Sequence, residues 1–234
     1  MGKLVILSPH LDDAVLSAWH HIEQPGSHVI TLFAGVPETK KTFWWDRLSG
    51  LADGRSAMLA RRQENAAALK PAAVHVTNLD YLDRQYDPPK RNIAQMADDI
   101  EAISQNAKYF LVNAGVGSLF IHPDHVTSRQ VGLELYRRGR QVSFYLDLPY
   151  SAVLRRLSDW PERLPISKIE QALGAGIRLE RHTLSPAEAL RKQTAINAYR
   201  SQRRSLKLTS LGAMSSRILY APEVTVRLAA PTKT

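Results

Sequence analysis

Short apolar runs separated by longer mixed stretches set the rhythm of this chain. Residues 3–7 (Lys-Leu-Val-Ile-Leu) are apolar and partly β-branched, the pattern of a buried parallel strand. Comparable runs recur at 28–33, 74–77, 109–113 and 142–146. Helical patterns fall between them, at 13–21 with Leu16 and Trp19 inward, at about 56–69 and 92–105, and after residue 122 through Val131, Leu135 and Tyr136. Strands alternating with helices predict an α/β fold, a three-layer sandwich with a mostly parallel sheet and helices on both faces. Residues 36–54 form the one long irregular stretch inside this region, and loops of that kind are often binding loops or lids.

Regularity drops after Pro149. Ser185-Pro186-Ala187-Glu188 then starts a long helix with a capping box, running to about Arg203. Lys192, Tyr199 and Gln202 share one face of it. That face either docks the C-terminal segment near the active site or is a partly exposed packing face. The expected organisation is one domain over residues 1–234: an α/β core at 1–150 and a basic C-terminal segment, 151–234, packed on it and completing the domain.

Composition narrows the classes. At 234 residues and 44% hydrophobic content the chain can bury one sizeable core. It has no cysteine, which excludes disulfides, thiolate metal sites and a cysteine nucleophile. No apolar run is long enough for a membrane span, and the first strand starts too early for a signal peptide, so a cytoplasmic protein is expected. The net charge of +9 lies wholly in the final third: residues 1–150 carry 16 basic and 16 acidic side chains, residues 151–234 carry 15 and 6. The excess gathers around Arg155, Arg156, Arg178, Arg181, Arg200, Arg203 and Arg204. Such a face could meet nucleic acid, an acidic lipid surface or an anionic substrate. It carries few aromatics and no nucleic-acid motif, so an ordinary solvated face is the default and no nucleic-acid partner is expected.

Two turns carry candidate chemistry. Ser8-Pro9 ends the first strand, and His10-Leu11-Asp12-Asp13 follows on a strand-to-helix turn. The carboxyl ends of the strands are where open α/β sheets bind ligands. The second cluster, His122-Pro123-Asp124-His125, follows the strand at 109–113 and the permissive loop Gly115-Val-Gly117-Ser118. Either turn alone could be a helix start with a capping carboxylate. Together they offer two imidazoles and a carboxylate for a divalent metal, with a spare carboxylate and a spare imidazole beside it. Three protein ligands and one open position for water describe a catalytic zinc site. The chain reads as a metal-dependent hydrolase.

Read together, these motifs resemble those of the PIG-L/LmbE-like N-acetylglucosaminyl deacetylases, which are zinc-dependent. The likeness runs from Ser8-Pro9-His10-Leu11-Asp12-Asp13-Ala14 through Trp45-Asp46, Arg61-Arg62-Gln63-Glu64, Leu79-Asp80-Tyr81-Leu82-Asp83, His122-Pro123-Asp124-His125 and Asp147-Leu148-Pro149-Tyr150 to Lys192 and Tyr199-Arg200-Ser201-Gln202. The resemblance implies a Rossmann-like sandwich in which His10, Asp13 and His125 ligate the metal. Asp12 would be the general base, His122 would face the substrate carbonyl, and Asp124 would orient or charge its imidazole. Zn2+, one per chain, is the implied cofactor; Fe2+, Co2+ or Mn2+ also suit two histidines and an aspartate. Trp44, Trp45, Arg61, Tyr150, Lys192 and Tyr199 are candidates for binding the substrate.

The chain departs from the family pattern in three places. Leu11 replaces a proline, which matters little beside Pro9. Ala14 replaces a glutamate that could orient a ligand, so another acidic residue must substitute or the metal binds more weakly. Tyr199 stands where many members carry histidine.

The leading expectation is hydrolysis of an N-acetyl or other N-acyl group from an amino sugar or its conjugate. A non-sugar amide or thiol conjugate is the alternative substrate. A non-catalytic protein binding nucleic acid or membranes through its basic third is the alternative class. Homo-oligomers are common among the proteins the chain resembles, which leaves self-association open. Phosphate loops, G-x-G-x-x-G turns and the G-x-S-x-G elbow are absent.

Overall fold

The structure is a computed structural model, described here for residues 3–38, 41–86, 90–104, 107–116, 122–148, 150–151, 164, 166–174, 176–202 and 222–228. Strand β1 (Lys3–Ser8) leads into two short helices, α1 (Asp13–Ser17) and α2 (Trp19–Ile22). Then come β2 (His28–Thr31), α3 (Trp44–Ser49), α4 (Gly54–Leu69), β3 (His75–Asn78), α5 (Ile93–Ile103) and β4 (Ala107–Asn113). The chain continues through α6 (Pro123–Arg137), β5 (Gln141–Tyr145), α7 (Ile166–Leu173), β6 (Ile177–His182), α8 (Pro186–Ala198) and β7 (Glu223–Leu228).

The strands form one seven-stranded sheet in the order β3-β2-β1-β4-β5-β7-β6. The first five are mutually parallel, and β7 pairs antiparallel with both β5 and β6. The chain order reverses beside β1, whose neighbours are β2 and β4. That reversal opens a crevice at the carboxyl ends of β1 and β4, from which both candidate turns emerge.

Alternation along the strands feeds two cores. Val5, Leu7, Phe110, Val112 and Phe144 point to the side covered by α5, α6 and α7 through Met96, Ile100, Val131, Leu135, Ile169 and Leu173. Ile6, Leu111 and Tyr145 point the other way, onto Val15, Trp19 and Ile22, with Leu69 of α4 and Ala195 and Tyr199 from the α8 region. The expected three-layer α/β sandwich is what these cores build. Each fully buried aliphatic side chain contributes about 1.5–3 kcal/mol, whereas exposed ion pairs contribute little, so the two apolar layers hold the sheet.

Five local expectations change. The helix expected over 13–21 breaks at Ala18 (φ −140°, ψ 30°), because the amides of Trp19 and His20 turn to the Glu223 carboxylate. The irregular stretch 36–54 contains α3, closed by Gly50 in the left-handed region at φ 77°. Helix α4 starts two residues early, since Asp53 accepts a hydrogen bond from the Ser56 amide at 2.9 Å. The region after Pro149 is more regular than expected: α7, β6 and β7 lie in it, and the two strands extend the same sheet as residues 3–145. The capping box at Ser185 and Glu188 is present, but α8 ends at Ala198 instead of running to about Arg203, because Tyr199 leaves helical geometry at φ −80°, ψ 64°.

Candidate active site

The first turn is held by backbone chemistry that its sequence supplies. Ser8 Oγ donates to the His10 carbonyl at 2.5 Å and accepts from the Ala14 amide at 3.0 Å. The His10 amide donates to Asp13 Oδ2 at 2.8 Å, folding the carboxylate back under the imidazole. Asp12 caps nothing with its side chain and is left facing the crevice, 7% exposed. Turned to donate, the Gln202 amide nitrogen reaches Asp12 Oδ2 at 3.1 Å and Oδ1 at 3.3 Å.

At the second turn His122 is the N-cap of α6, and its Nδ1 accepts from the Asp124 amide at 3.2 Å. Gly115, with φ 54°, passes so close that a Cβ there would sit 2.6 Å from the His125 carbonyl oxygen. Asn113 Nδ2 donates to that same carbonyl at 3.1 Å, tying the end of β4 to the start of α6. Both contacts press His125 inward, where its ring is edge-on to that of Tyr150 with centroids 5.0 Å apart.

The two turns meet. His10 Nδ1 and His125 Nε2 each lie 3.2 Å from Asp13 Oδ2, and the three residues offer ligand atoms within 4.8 Å of one another. The outer ring nitrogens are anchored by carboxylates, His10 Nε2 on Asp124 Oδ2 at 2.9 Å and His125 Nδ1 on Asp147 Oδ1 at 2.8 Å. That is how metal-ligating histidines are usually oriented. His125 Nε2 is buried and makes no hydrogen bond. An imidazole nitrogen left unpaired beside a carboxylate fits a divalent cation, and the donor set suits one.

Charge interactions sharpen the roles. Burial, then the Asp13 charge, pushes the Asp12 carboxyl up to about 7. Burial opposes ionisation of Asp13, yet the charge on His125 and the His10 hydrogen bond hold it well below the usual carboxylate range. Burial likewise disfavours charge on His125, but Asp13 and Asp147 raise it to about 10. Burial and the neighbouring His10 charge lower His122 to about 3, so its ring is neutral. With Nδ1 accepting from an amide, the His122 proton belongs on Nε2.

One expected role moves. The Asp124 carboxylate serves His10 rather than His122: Oδ2 is 2.9 Å from His10 Nε2 and 3.8 Å from His122 Nδ1. It also accepts from the Arg84 amide at 3.0 Å and from Arg91 Nη1, on Oδ1, at 2.5 Å. The pull of the α6 helix start explains the geometry, since only the Asp124 amide faces His122.

The candidate substrate-binding residues divide. Trp44 is 67% exposed, and Trp45 is half-buried against the larger core. Arg61, by contrast, is buried in an ion pair with Asp46 at 2.8 Å. Lys192 is fully buried and donates to Glu223 Oε1 at 2.7 Å. The Tyr199 hydroxyl lies 2.9 Å from the Leu11 carbonyl and 2.7 Å from Asn65 Oδ1, so it braces the first turn from behind. These three hold the walls in place, and their polar atoms engage protein partners. Gly117, Ser118, Pro149, Arg155, Arg156, Arg203 and Arg204 lie outside the described residues.

Asp147, Asp83 and Arg91 were given no role from the sequence alone. Asp147 also accepts from the Gly115 amide at 2.8 Å, joining the two strand ends. It is the acidic residue that anchors His125, at 2.8 Å from Nδ1. The signal was its place just after an apolar strand, one position beyond the run at 142–146. Arg91 stacks its guanidinium 4.0 Å over the Phe33 ring, a contact no local pattern announces.

Comparison with known proteins points to one family. The model of the PIG-L family, GlcNAc-PI de-N-acetylase, matches residues 5–136, more than half of the chain. A triple mutant of a deacetylase of the teicoplanin biosynthetic pathway (Orf2*T) is 27% identical, with a TM-score of 0.76 over 99% of this chain and 100% of that one. The zinc-inhibited form of teicoplanin deacetylase Orf2 is 25% identical, with a TM-score of 0.75 over 98% of this chain and 100% of its own. The A40926 pseudoaglycone deacetylase Dbv21 is 27% identical, with a TM-score of 0.69 over 98% of this chain and 99% of that chain. No curated protein matches the chain in sequence. Among the described residues, no helix is long and apolar enough to cross a membrane.

Proposed function

The chain belongs to the PIG-L family of de-N-acetylases, and from that premise we propose the reaction and its parts. It hydrolyses an N-acetyl or other N-acyl group from an amino sugar carried on a larger small-molecule conjugate, with zinc as the resident ion. The observation that carries this is the meeting of His10, Asp13 and His125 around one point, with His125 Nε2 buried, beside the Asp13 carboxylate and making no hydrogen bond. The relative crystallised in a zinc-inhibited form supports zinc affinity in such a site. Iron, cobalt or manganese would suit the same donors.

His10 Nδ1, Asp13 Oδ2 and His125 Nε2 would hold the ion. The chemistry such an ion supplies is acidification of water to a pKa of about 7. Asp12 takes the proton of the attacking water and returns it to the departing amine, with Gln202 holding its carboxylate in line. His122 donates from Nε2–H to the oxygen that becomes negative as the carbonyl carbon turns tetrahedral. A neutral donor suffices there. The half-buried side of His122 is open to the crevice, where the acyl group enters.

Trp44, which is 67% exposed, would offer a flat apolar surface to a sugar face or a lipid-like aglycone. The relatives named for the teicoplanin pathway and for the A40926 pseudoaglycone support a larger conjugate over a free monosaccharide. We read residues 1–234 as one domain, a reading supported by β6 and β7, which join the same sheet as β1 to β5.

The decisive experiment pairs metal analysis with acetate release. The purified protein should hold about one zinc per chain and release acetate from N-acetylglucosaminyl conjugates, and His125→Ala should lose both. A protein that takes up no zinc, yet is folded, overturns the assignment. For the wall, Trp44→Ala should raise KM for a conjugate while leaving the melting temperature unchanged; an unchanged KM removes Trp44 from the site.

A further inference from the structure

A second group of ligand atoms lies on the other side of the His10 ring. His10, Asp83, His122 and Asp124 offer ligand atoms that all fall within 4.8 Å of one another. Asp13 faces His10 Nδ1, whereas Asp124 Oδ2 and Asp83 Oδ2 face Nε2 at 2.9 and 3.8 Å. The His122 ring stands edge-on to that of His10, with centroids 4.8 Å apart. One ring therefore separates two donor sets.

We propose that Asp83, His122 and Asp124 form a second divalent-cation position beside the first, and that filling it with excess metal stops the enzyme. Two carboxylates and an imidazole are a donor set for a borderline transition ion such as Zn2+. The carboxylates are already fixed. Asp83 accepts from the Gln85 amide at 3.0 Å and from Gln85 Nε2 at 3.2 Å, and Asp124 is held by Arg91 and the Arg84 amide. A cation arriving there finds its walls placed.

Occupation would be inhibitory for a geometric reason. His122 Nδ1 accepts from the Asp124 amide, so a cation would bind through Nε2 and displace the very N–H that meets the substrate oxygen. The neighbouring first cation and the Arg91 guanidinium on Asp124 Oδ1 both repel a second ion, so it binds more weakly than the first.

The proposal rests on the first-site assignment only in needing that site filled beforehand. Zn2+ is titrated into the full chain by equilibrium dialysis with elemental analysis, and acetate release is followed over the same concentrations. The expected result is one tight zinc and one weaker zinc per chain, with activity falling as the weaker one binds. Asp83→Asn should keep the tight zinc, weaken the second about tenfold or more, and move inhibition to higher zinc by the same factor. Should Asp83→Asn fail to fold, His122→Ala read by dialysis alone should likewise keep the first zinc and lose the second.

The histidine cluster of His20, His21 and His182, whose ring centroids are 4.8–5.3 Å apart, is the control. A second zinc that survives both variants and disappears in His182→Ala overturns the proposal. So does a stoichiometry that stays at one while zinc inhibits. A chain that binds no zinc at all overturns the first-site assignment instead, so the two failures are separable.

Discussion

Two buried polar clusters lie on opposite flanks of the α1–α2 segment, and they are built on different terms. Where α8 meets α2, Lys192 and Glu223 are fully buried and closed on one another. Glu223 Oε1 accepts from Lys192 Nζ and the Trp19 amide, and Oε2 accepts from the His20 amide. Charge and hydrogen bonds balance. At the ends of β1 and β4, Asp12, Asp13, Asp83, Asp124 and Asp147 crowd around His10, His122 and His125, and Arg91 is the guanidinium paired there. A buried His125 nitrogen is left over. A closed cluster holds a fold together, while an open one is kept for a ligand that completes it.

The strongest test of this contrast removes one carboxylate from the open cluster without touching a ligand. Asp12→Asn should lower kcat about 10²–10⁴-fold, with zinc content and melting temperature unchanged. A loss of metal together with activity would instead make Asp12 a ligand. The matching test on the closed cluster is Lys192→Met, which strands the Glu223 charge in the interior. It should destabilise the fold by about 3–5 kcal/mol in denaturant melts, with kcat per folded molecule unchanged. If Lys192→Met altered KM at full stability, Lys192 would return to the substrate-binding set.

The same contrast explains what the sequence made legible. Strand periodicity located β1 to β5, and the two turns identified the His10, Asp13 and His125 set, because each is a local pattern with a local cause. Partners drawn from far along the chain carry no such mark. Glu223 breaks the helix at Ala18 from more than two hundred residues away, and β7 enters the sheet between β5 and β6 only because the fold brings it there. Lys192 and Arg61 were misjudged for one reason: a cation in a recognisable motif looks the same whether it meets a substrate or a buried aspartate or glutamate. Asp124 shows the finer limit. Its neighbour in sequence is His122, but helix geometry sends its carboxylate to His10.

A smaller effect sharpens the comparison within the open cluster. Asp147 holds His125 from behind, where Ala14 has no carboxylate to offer. Asp147→Asn should weaken zinc binding about 10–100-fold, measured by competition with a chelator, because the amide orients the ring less strongly. Introducing the absent carboxylate as Ala14→Glu should not restore it. Ala14 is 1% exposed in the second core, so a glutamate there has apolar neighbours rather than His125.

The smallest expected effect concerns protons in the metal-free protein. Burial works against a charged His125, but Asp13 and Asp147 raise it to about 10, against roughly 6.5 in an unfolded chain. Between those values the folded state binds the proton that the unfolded state has released. This contribution to stability is therefore complete below about pH 6.5 and is lost as the pH rises towards 10. The slope from one such group cannot exceed about 1.4 kcal/mol per pH unit. Zinc on His125 Nε2 would exclude the proton, so the loaded protein should lack this contribution to the alkaline slope. Asp147→Asn removes one of the two carboxylates and should flatten the slope of the metal-free form. Denaturant melts from pH 6 to 10, with and without chelator, separate these cases. Identical slopes with and without metal would mean that the ion binds elsewhere, and the open cluster would then lose its claim to be open for it.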